Sequence, residues 1–295
     1  MIMKRIFKCL SIISVVLCVA LTAVVSYNAA SDTQYISDGF TYTITDYGTA
    51  SICGWDDSSS DLVIPNKVGD KFVTDIASFG MRNNKFITSL DVSAPTKFDT
   101  IGTYAFEGCS SLSGQLLLPR KIGFIGDAAF KDCSSIESID YRANTDSISE
   151  KCFSGCSALK NIEIMAGPKK IEAYAFENCS ALEGITIPKT VKSIDDSAFS
   201  GCGDFTVYCY HDSCALQYAK DKGINFVLLD PKLGDVNLDG VININDVTYI
   251  QMHDVQLITL GELEKKAADV NRDGEITIRD ATLIQMYLAN IITEF

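Results

Sequence analysis

AFENCSALEGITIPKTVKSIDDSAFSGC, residues 175–202, holds one full unit of a repeat and the opening of the next. Phe176 and Cys179, three residues apart, return as Phe199 and Cys202, and upstream as Phe153 and Cys156, Phe130 and Cys133, and Phe106 and Cys109. Successive phenylalanines lie 24, 23, 23 and 23 residues apart, and a degenerate copy without the cysteine centres on Phe79, 27 residues before Phe106. A fixed period in the low twenties, with Leu and Ile at regular offsets, marks a solenoid in which each unit buries its apolar face only against its neighbours. Each period is predicted to supply one short parallel strand, such as residues 182–188, with the AFxxC segment as a short helix or turn on the far side. About six rungs at roughly 4.8 Å give a stack of about 25–30 Å.

These repeats resemble leucine-rich repeats of the BspA type, which implies an α/β solenoid of short parallel strands and short helices or turns. The resemblance spans about residues 40–229 and is strongest over 103–201. DGFTYTITDYGTASICGW, residues 38–55, is similar to the opening hairpin of such domains, and VYCYHDSCALQYAKDKGINFVLL, residues 207–229, to their C-terminal cap, with Tyr218 and Ala219 turned inward. The repeat domain is therefore assigned residues 31–229. The recurring cysteines occupy one structural position, a rung apart, and read as buried free thiols. Cys209 and Cys214 are the expected bonded pair, while Cys53 and Cys152 have no evident partner.

Further along, DVNLDGVININD (235–246) and DVNRDGEITIRD (269–280) spell one loop twice, 34 residues apart. Oxygen-bearing side chains stand at positions 1, 3, 5, 9 and 12 and glycine at position 6, the spacing by which a twelve-residue loop wraps Ca2+. The first set is Asp235, Asn237, Asp239, Asn243 and Asp246 with the carbonyl of Val241. The second is Asp269, Asn271, Asp273, Thr277 and Asp280 with that of Glu275, so two Ca2+ ions are expected. Gly240 and Gly274 fill the sharp turn. Pro231 and Gly234 argue against a helix entering the first loop, and each loop is expected to feed a helix only on its exit side.

Aligned, residues 235–252 and 269–286 share DVN.DG.I.I.D.T.IQM. This duplication resembles a type I dockerin, here residues 230–295. The resemblance implies a small all-α calcium-binding module of two loop-helix F-hand motifs, and docking on the cohesin module of a scaffoldin. It places recognition on loop positions 10 and 11 and the exit helix: Ile244, Asn245, Gln251 and Met252, then Ile278, Arg279, Gln285 and Met286. Read from the residues alone, Ile244 and Ile278, apolar side chains between loop positions 9 and 12, are expected to face the module's own core. Helical periodicity places Val247, Ile250 and Val255 on one buried stripe and Gln251 off it. Phe295 is placed against Pro231 or Leu233.

Lys4, Arg5 and Lys8, an apolar run to Val25 and small residues at Ser26, Ala29 and Ala30 read as a secretory signal peptide, residues 1–30, the alternative being an uncleaved anchor. Its removal takes the net charge from -13 to -16, which excludes nucleic-acid binding through backbone charge. The expected location is extracellular, on a scaffold, with no membrane association after cleavage. No nucleophile elbow, zinc helix or phosphate loop is present, and repeats plus calcium module fill the chain. The reading is a non-catalytic, cellulosome-like binding protein whose repeat face takes an unknown protein, glycan or cell ligand, with Tyr141 and Tyr208 as candidate anchors. The alternative is a carbohydrate-active enzyme or peptidase inhibitor with an unrecognised site on the repeats.

Overall fold

The N–H of Phe130 donates to the carbonyl of Cys152 in the next rung, as Phe106 does to Ala129, Phe153 to Ala175 and Phe176 to Ala198. A donor committed to the neighbouring rung cannot close a helical turn, so the AFxxC segments are stacked turns and form no helix. The computed structural model describes residues 33–295 apart from Ala166, Asp212 and Gly240. The leader assigned to residues 1–30, and the turn glycine Gly240, lie outside the described residues.

The chain opens with β1 (Tyr35–Ser37), β2 (Phe40–Ile44) and β3 (Ala50–Trp55), paired antiparallel in that order, followed by β4 (Asp61–Val63), β5 (Lys67–Val68) and β6 (Lys71–Ile76). Each later rung but the last contributes two strands. These are β7 (Ser89–Asp91) with β8 (Thr100–Ile101), β9 (Ser113–Leu118) with β10 (Phe124–Ile125), and β11 (Ser135–Tyr141) with β12 (Ser147–Ile148). There follow β13 (Asn161–Ile164) with β14 (Lys170–Ile171), β15 (Gly184–Thr186) with β16 (Ser193–Ile194), and β17 (Thr206–Cys209). Helix α1 (Cys214–Lys222) and β18 (Asn225–Leu228) close the stack. The longer strands form a parallel six-stranded sheet in the order β18-β17-β15-β13-β11-β9, and the short ones continue in separate ribbons. The reading of one strand per period is thus corrected to two. The second is marked by the isoleucine that ends each unit, Ile101, Ile125, Ile148, Ile171 and Ile194.

Between the ribbons the repeat phenylalanines stack in one column. Phe106, Phe130, Phe153, Phe176 and Phe199 have successive ring centroids 5.2, 5.6, 5.5 and 5.3 Å apart and planes within 10° of parallel. Beside them the ladder thiols donate to a carbonyl of the preceding rung: Cys109 to Met81 at 3.0 Å, Cys133 to Phe106 at 3.2 Å, Cys156 to Phe130 at 3.3 Å, Cys179 to Phe153 at 3.4 Å and Cys202 to Phe176 at 3.1 Å. Burial pushes the thiols of Cys109 and Cys156 up to about 12. All nine cysteines among the described residues are free. The expected Cys209–Cys214 bond is therefore absent: strand alternation buries Cys209 in β17, while Cys214 opens α1.

Two residues past each of these phenylalanines, and past Met81, which takes their place one rung earlier where the repeat pattern had centred on Phe79, the chain is left-handed, and that column alternates Asx with glycine: Asn83, Gly108, Asp132, Gly155, Asn178, Gly201. A Cβ on Gly108, Gly155 or Gly201 would overlap the side-chain oxygen of Asn83, Asp132 or Asn178 in the rung before. Tyr141 is a second correction. A bulge between Ile136 and Ser138 shifts the alternation of β11, so Tyr141 points inward, fully buried and bonded to Thr145 at 2.7 Å. The same bulge turns Ser138 and Asp140 outward.

The cap follows expectation, with Tyr218 and Ala219 buried on α1 between the Ser213 N-cap and the left-handed Gly223. Beyond it lie α2 (Ile244–Asp254), α3 (Glu262–Ala268) and α4 (Ile278–Leu288). Their core is Val236, Val247, Ile250, Leu260, Ala268, Val270, Ala281 and Ile284. Val255, placed on this stripe by periodicity, is instead exposed, because it is the C-cap of α2, where the helix has already ended.

Candidate calcium loops and docking face

Both loops fold by the same local bonds. In the first, the N–H of Asp239 donates to Asp235 Oδ1 and Asn237 Oδ1, each at 3.1 Å, so one donor draws the position 1 and position 3 oxygens together. In the second, Asp273 N–H bonds Asp269 Oδ1 at 3.1 Å and Asn271 Oδ1 at 2.8 Å. The backbone N–H of Val241, and then the Asn237 amide, hold the exposed Asp239 carboxyl below the usual carboxylate range. Glu275 N–H and the Asn271 amide do the same for Asp273. Gly274 has φ +88°, a backbone that a side chain would strain.

Position 12 latches each loop. Asp246, fully buried, accepts from Val236 N at 2.7 Å and Asn237 N at 3.1 Å through Oδ1, and from Asn243 N at 2.8 Å through Oδ2. Asp280 repeats this with Val270 at 3.1 Å, Asn271 at 3.3 Å and Thr277 at 3.1 Å. Asn243 and Thr277, the position 9 residues, are also the N-caps of α2 and α4, each in a capping box with its position 12 aspartate. Among the described residues no group of three or more His, Cys, Asp or Glu side chains could by itself hold a metal ion. Each loop instead mixes carboxylate with amide and main-chain oxygen, the second adding the Thr277 hydroxyl. That all-oxygen donor set fits a hard cation.

Helix α3 ends where the second loop begins, at its C-cap Asp269. The expectation of helices only on the exit side holds for the first loop and fails for the second. Gly261 and Glu264, whose carboxylate accepts from the Gly261 N–H, were the available signal for α3. Residues at loop position 4, Leu238 and Arg272, are left-handed with φ 58° and 59°, a strain the loop pattern does not announce.

The residues assigned to recognition lie on the outside. Ile244 is 59% exposed and Ile278 53%, so neither serves the module's core. Asn245, Gln251, Arg279 and Gln285 are exposed, and Met252 and Met286 partly so, while Val247, Ile250 and Ile284 face inward. Phe295 folds back onto Gly234, beside Leu233, and packs on Tyr287 with centroids 4.9 Å apart.

Residues 74–206 match the family model for the BspA type leucine rich repeat region, in six copies, and residues 233–289 that for the dockerin type I domain. The chain joins a BspA-type leucine-rich repeat region to a type I dockerin. No curated protein matches it. Among solved structures it is similar to the T. pallidum leucine rich repeat protein TpLRR, at 17% identity over 66% of this chain and 98% of that one, TM-score 0.48. It is also similar to a leucine-rich repeat protein from Eubacterium ventriosum ATCC 27560, at 16% identity over 59% of this chain and 51% of that one, TM-score 0.45. The type I dockerin is a calcium-binding domain whose members bind scaffoldin cohesins, and neither module is of a catalytic kind. Among the described residues no helix is long and apolar enough to cross a membrane.

Proposed function

We propose that the protein is a secreted, non-catalytic component that docks through its dockerin onto a scaffoldin cohesin and presents the leucine-rich repeat surface to a protein, glycan or cell. A signal peptide at residues 1–30, a repeat domain at 31–229 and a dockerin at 230–295 make up this reading. Two Ca2+ ions fold the dockerin. The first is held by Asp235, Asn237, Asp239, Val241, Asn243 and Asp246, the second by Asp269, Asn271, Asp273, Glu275, Thr277 and Asp280. The ions neutralise carboxylates that otherwise repel, so binding free energy becomes folding free energy.

The observation that carries this reading is the exposure of Ile244 and Ile278 directly beside the loops, on helices whose opposite stripe is buried. An apolar side chain left outside at the same position of both halves fits a partner's surface better than it fits solvent. Either half then offers a similar cohesin face, distinguished by Asn245 against Arg279. The test is capture of the full chain by immobilised type I cohesins. Asp235→Ala with Asp269→Ala is expected to abolish capture and leave the repeats folded, and normal capture by that double variant would refute the assignment.

A further inference from the structure

Outward positions of the six-stranded sheet run in register across the strands. Gln115, Ser138, Asn161 and Gly184 form one row, and Asp140, Glu163, Thr186 and Tyr208 the next. Gly184 faces outward and yet is buried, because the Tyr208 ring from the neighbouring strand lies on it; a Cβ there would sit 2.9 Å from Tyr208 Cε2. Glycine weakens a strand interior and marks close approach of another group. Here it lets an aromatic ring lie against the sheet while the ring stays 37% exposed. The ring and the polar rows bound a groove of about 260 Å3.

We propose that this groove binds a neutral, extended glycan, with a sugar ring on Tyr208 and the chain running across the strands along the repeat axis. The inference deepens the reading of the repeats as a ligand-presenting surface and rests on it. Aromatic faces pack against the C–H face of a sugar, and amides and hydroxyls such as Asn161, Gln115 and Ser138 both donate and accept, as sugar hydroxyls do. Neighbouring strands stand about 4.8 Å apart, close to the length of one sugar unit in an extended chain, so successive units meet successive strands. Charge selects the class. Arg142 clamps Asp140 through three bonds of 2.6 to 2.9 Å and cancels it, leaving Glu163 as the exposed carboxylate of the groove on a chain of net charge -13. An acidic polysaccharide is repelled, and a neutral one meets mostly dipoles.

The test is native affinity electrophoresis of the full chain through gels containing hydroxyethyl cellulose, galactomannan or polygalacturonate. Retardation is expected by a neutral polymer and not by polygalacturonate. Tyr208→Ala should weaken it about tenfold or more, as loss of a central aromatic anchor does. Gly184→Val, which places a strand-favouring residue beneath the ring, should abolish retardation while the melting temperature holds. The proposal is overturned if neither neutral polymer retards the chain, if both variants are retarded like the parent, if polygalacturonate binds more strongly, or if a cationic peptide displaces the polymer where neutral oligosaccharides do not. Cohesin capture of the same proteins is scored separately. Capture without retardation sinks the groove and leaves docking standing, and retardation without capture does the reverse.

Discussion

Asp246 serves the loop in two ways that one titration separates. Asp239 is exposed, so on the proposed assignment Asp239→Ala is expected to remove a calcium ligand and weaken affinity, with a deficit that closes as calcium is raised. Asp246 is buried and also accepts from three backbone N–H groups. Asp246→Ala strands those donors, and about 1–3 kcal/mol should remain missing at saturating calcium, read from thermal melts across a calcium series. In the repeats, Gly155→Ala meets both a left-handed backbone and the Asp132 side chain, with an expected loss of about 1–2 kcal/mol in chemical denaturation. Adding Asp132→Gly should recover part of that loss, a coupling that independent sites would not show. At this scale the twice-written loop was legible, since its residue types and spacing are written in the sequence. The inward turn of Tyr141 was missed, although IESIDY carries its mark: strict alternation from Ile136 would leave Tyr141 outside, and the two polar residues before Ile139 take up the bulge that brings it in.

Among the elements, the thiol ladder has a pH signature. Cys109 and Cys156 rise from an ordinary value of 9.0 to about 12 through burial. In the unfolded chain these thiols ionise first, so the folded state binds more protons between the two values and loses stability as pH rises. The slope is about 1.4 kcal/mol per pH unit for each such thiol. Urea midpoints should hold below pH 9 and fall above it, and Cys156→Ala should flatten the fall. A disulfide reagent on the native protein should leave Cys109, Cys133 and Cys156 unmodified until denaturant is added. The solenoid was legible from the phenylalanine period because rung stacking enforces one length per unit. The second strand of each rung was spelled only by a closing isoleucine, two residues being too short for alternation to register. Helix α3 was hidden for a related reason: seven residues, ELEKKAA, show no apolar period, and Ala267 and Ala268 are buried by what packs on them.

Across the molecule the linker is short and tied at both ends. Asp230 accepts from His211 N at 2.6 Å and pairs with Lys189 at 2.8 Å, while Gly234 N donates to Ala267 O at 2.8 Å. The single tryptophan, Trp55, lies on β3 with its ring 4.5 Å from Phe40, and so reports on the repeats alone. Chelation is expected to reduce the helical circular dichroism of the dockerin and to leave Trp55 emission unchanged. A simultaneous loss of both signals would mean that calcium holds the repeats as well.

The alternating column of Asx and glycine bears on how such a chain changes length over generations. Excising the rung of Gly155 would set Asp132 against Asn178, two side chains competing for room that only glycine leaves. Excising or duplicating a pair of rungs keeps the order intact, since Gly155 and Gly201 are 46 residues apart and equivalent. The heritable module of this array is therefore a doublet, and viable length variants should differ by even numbers of rungs although the written period is one.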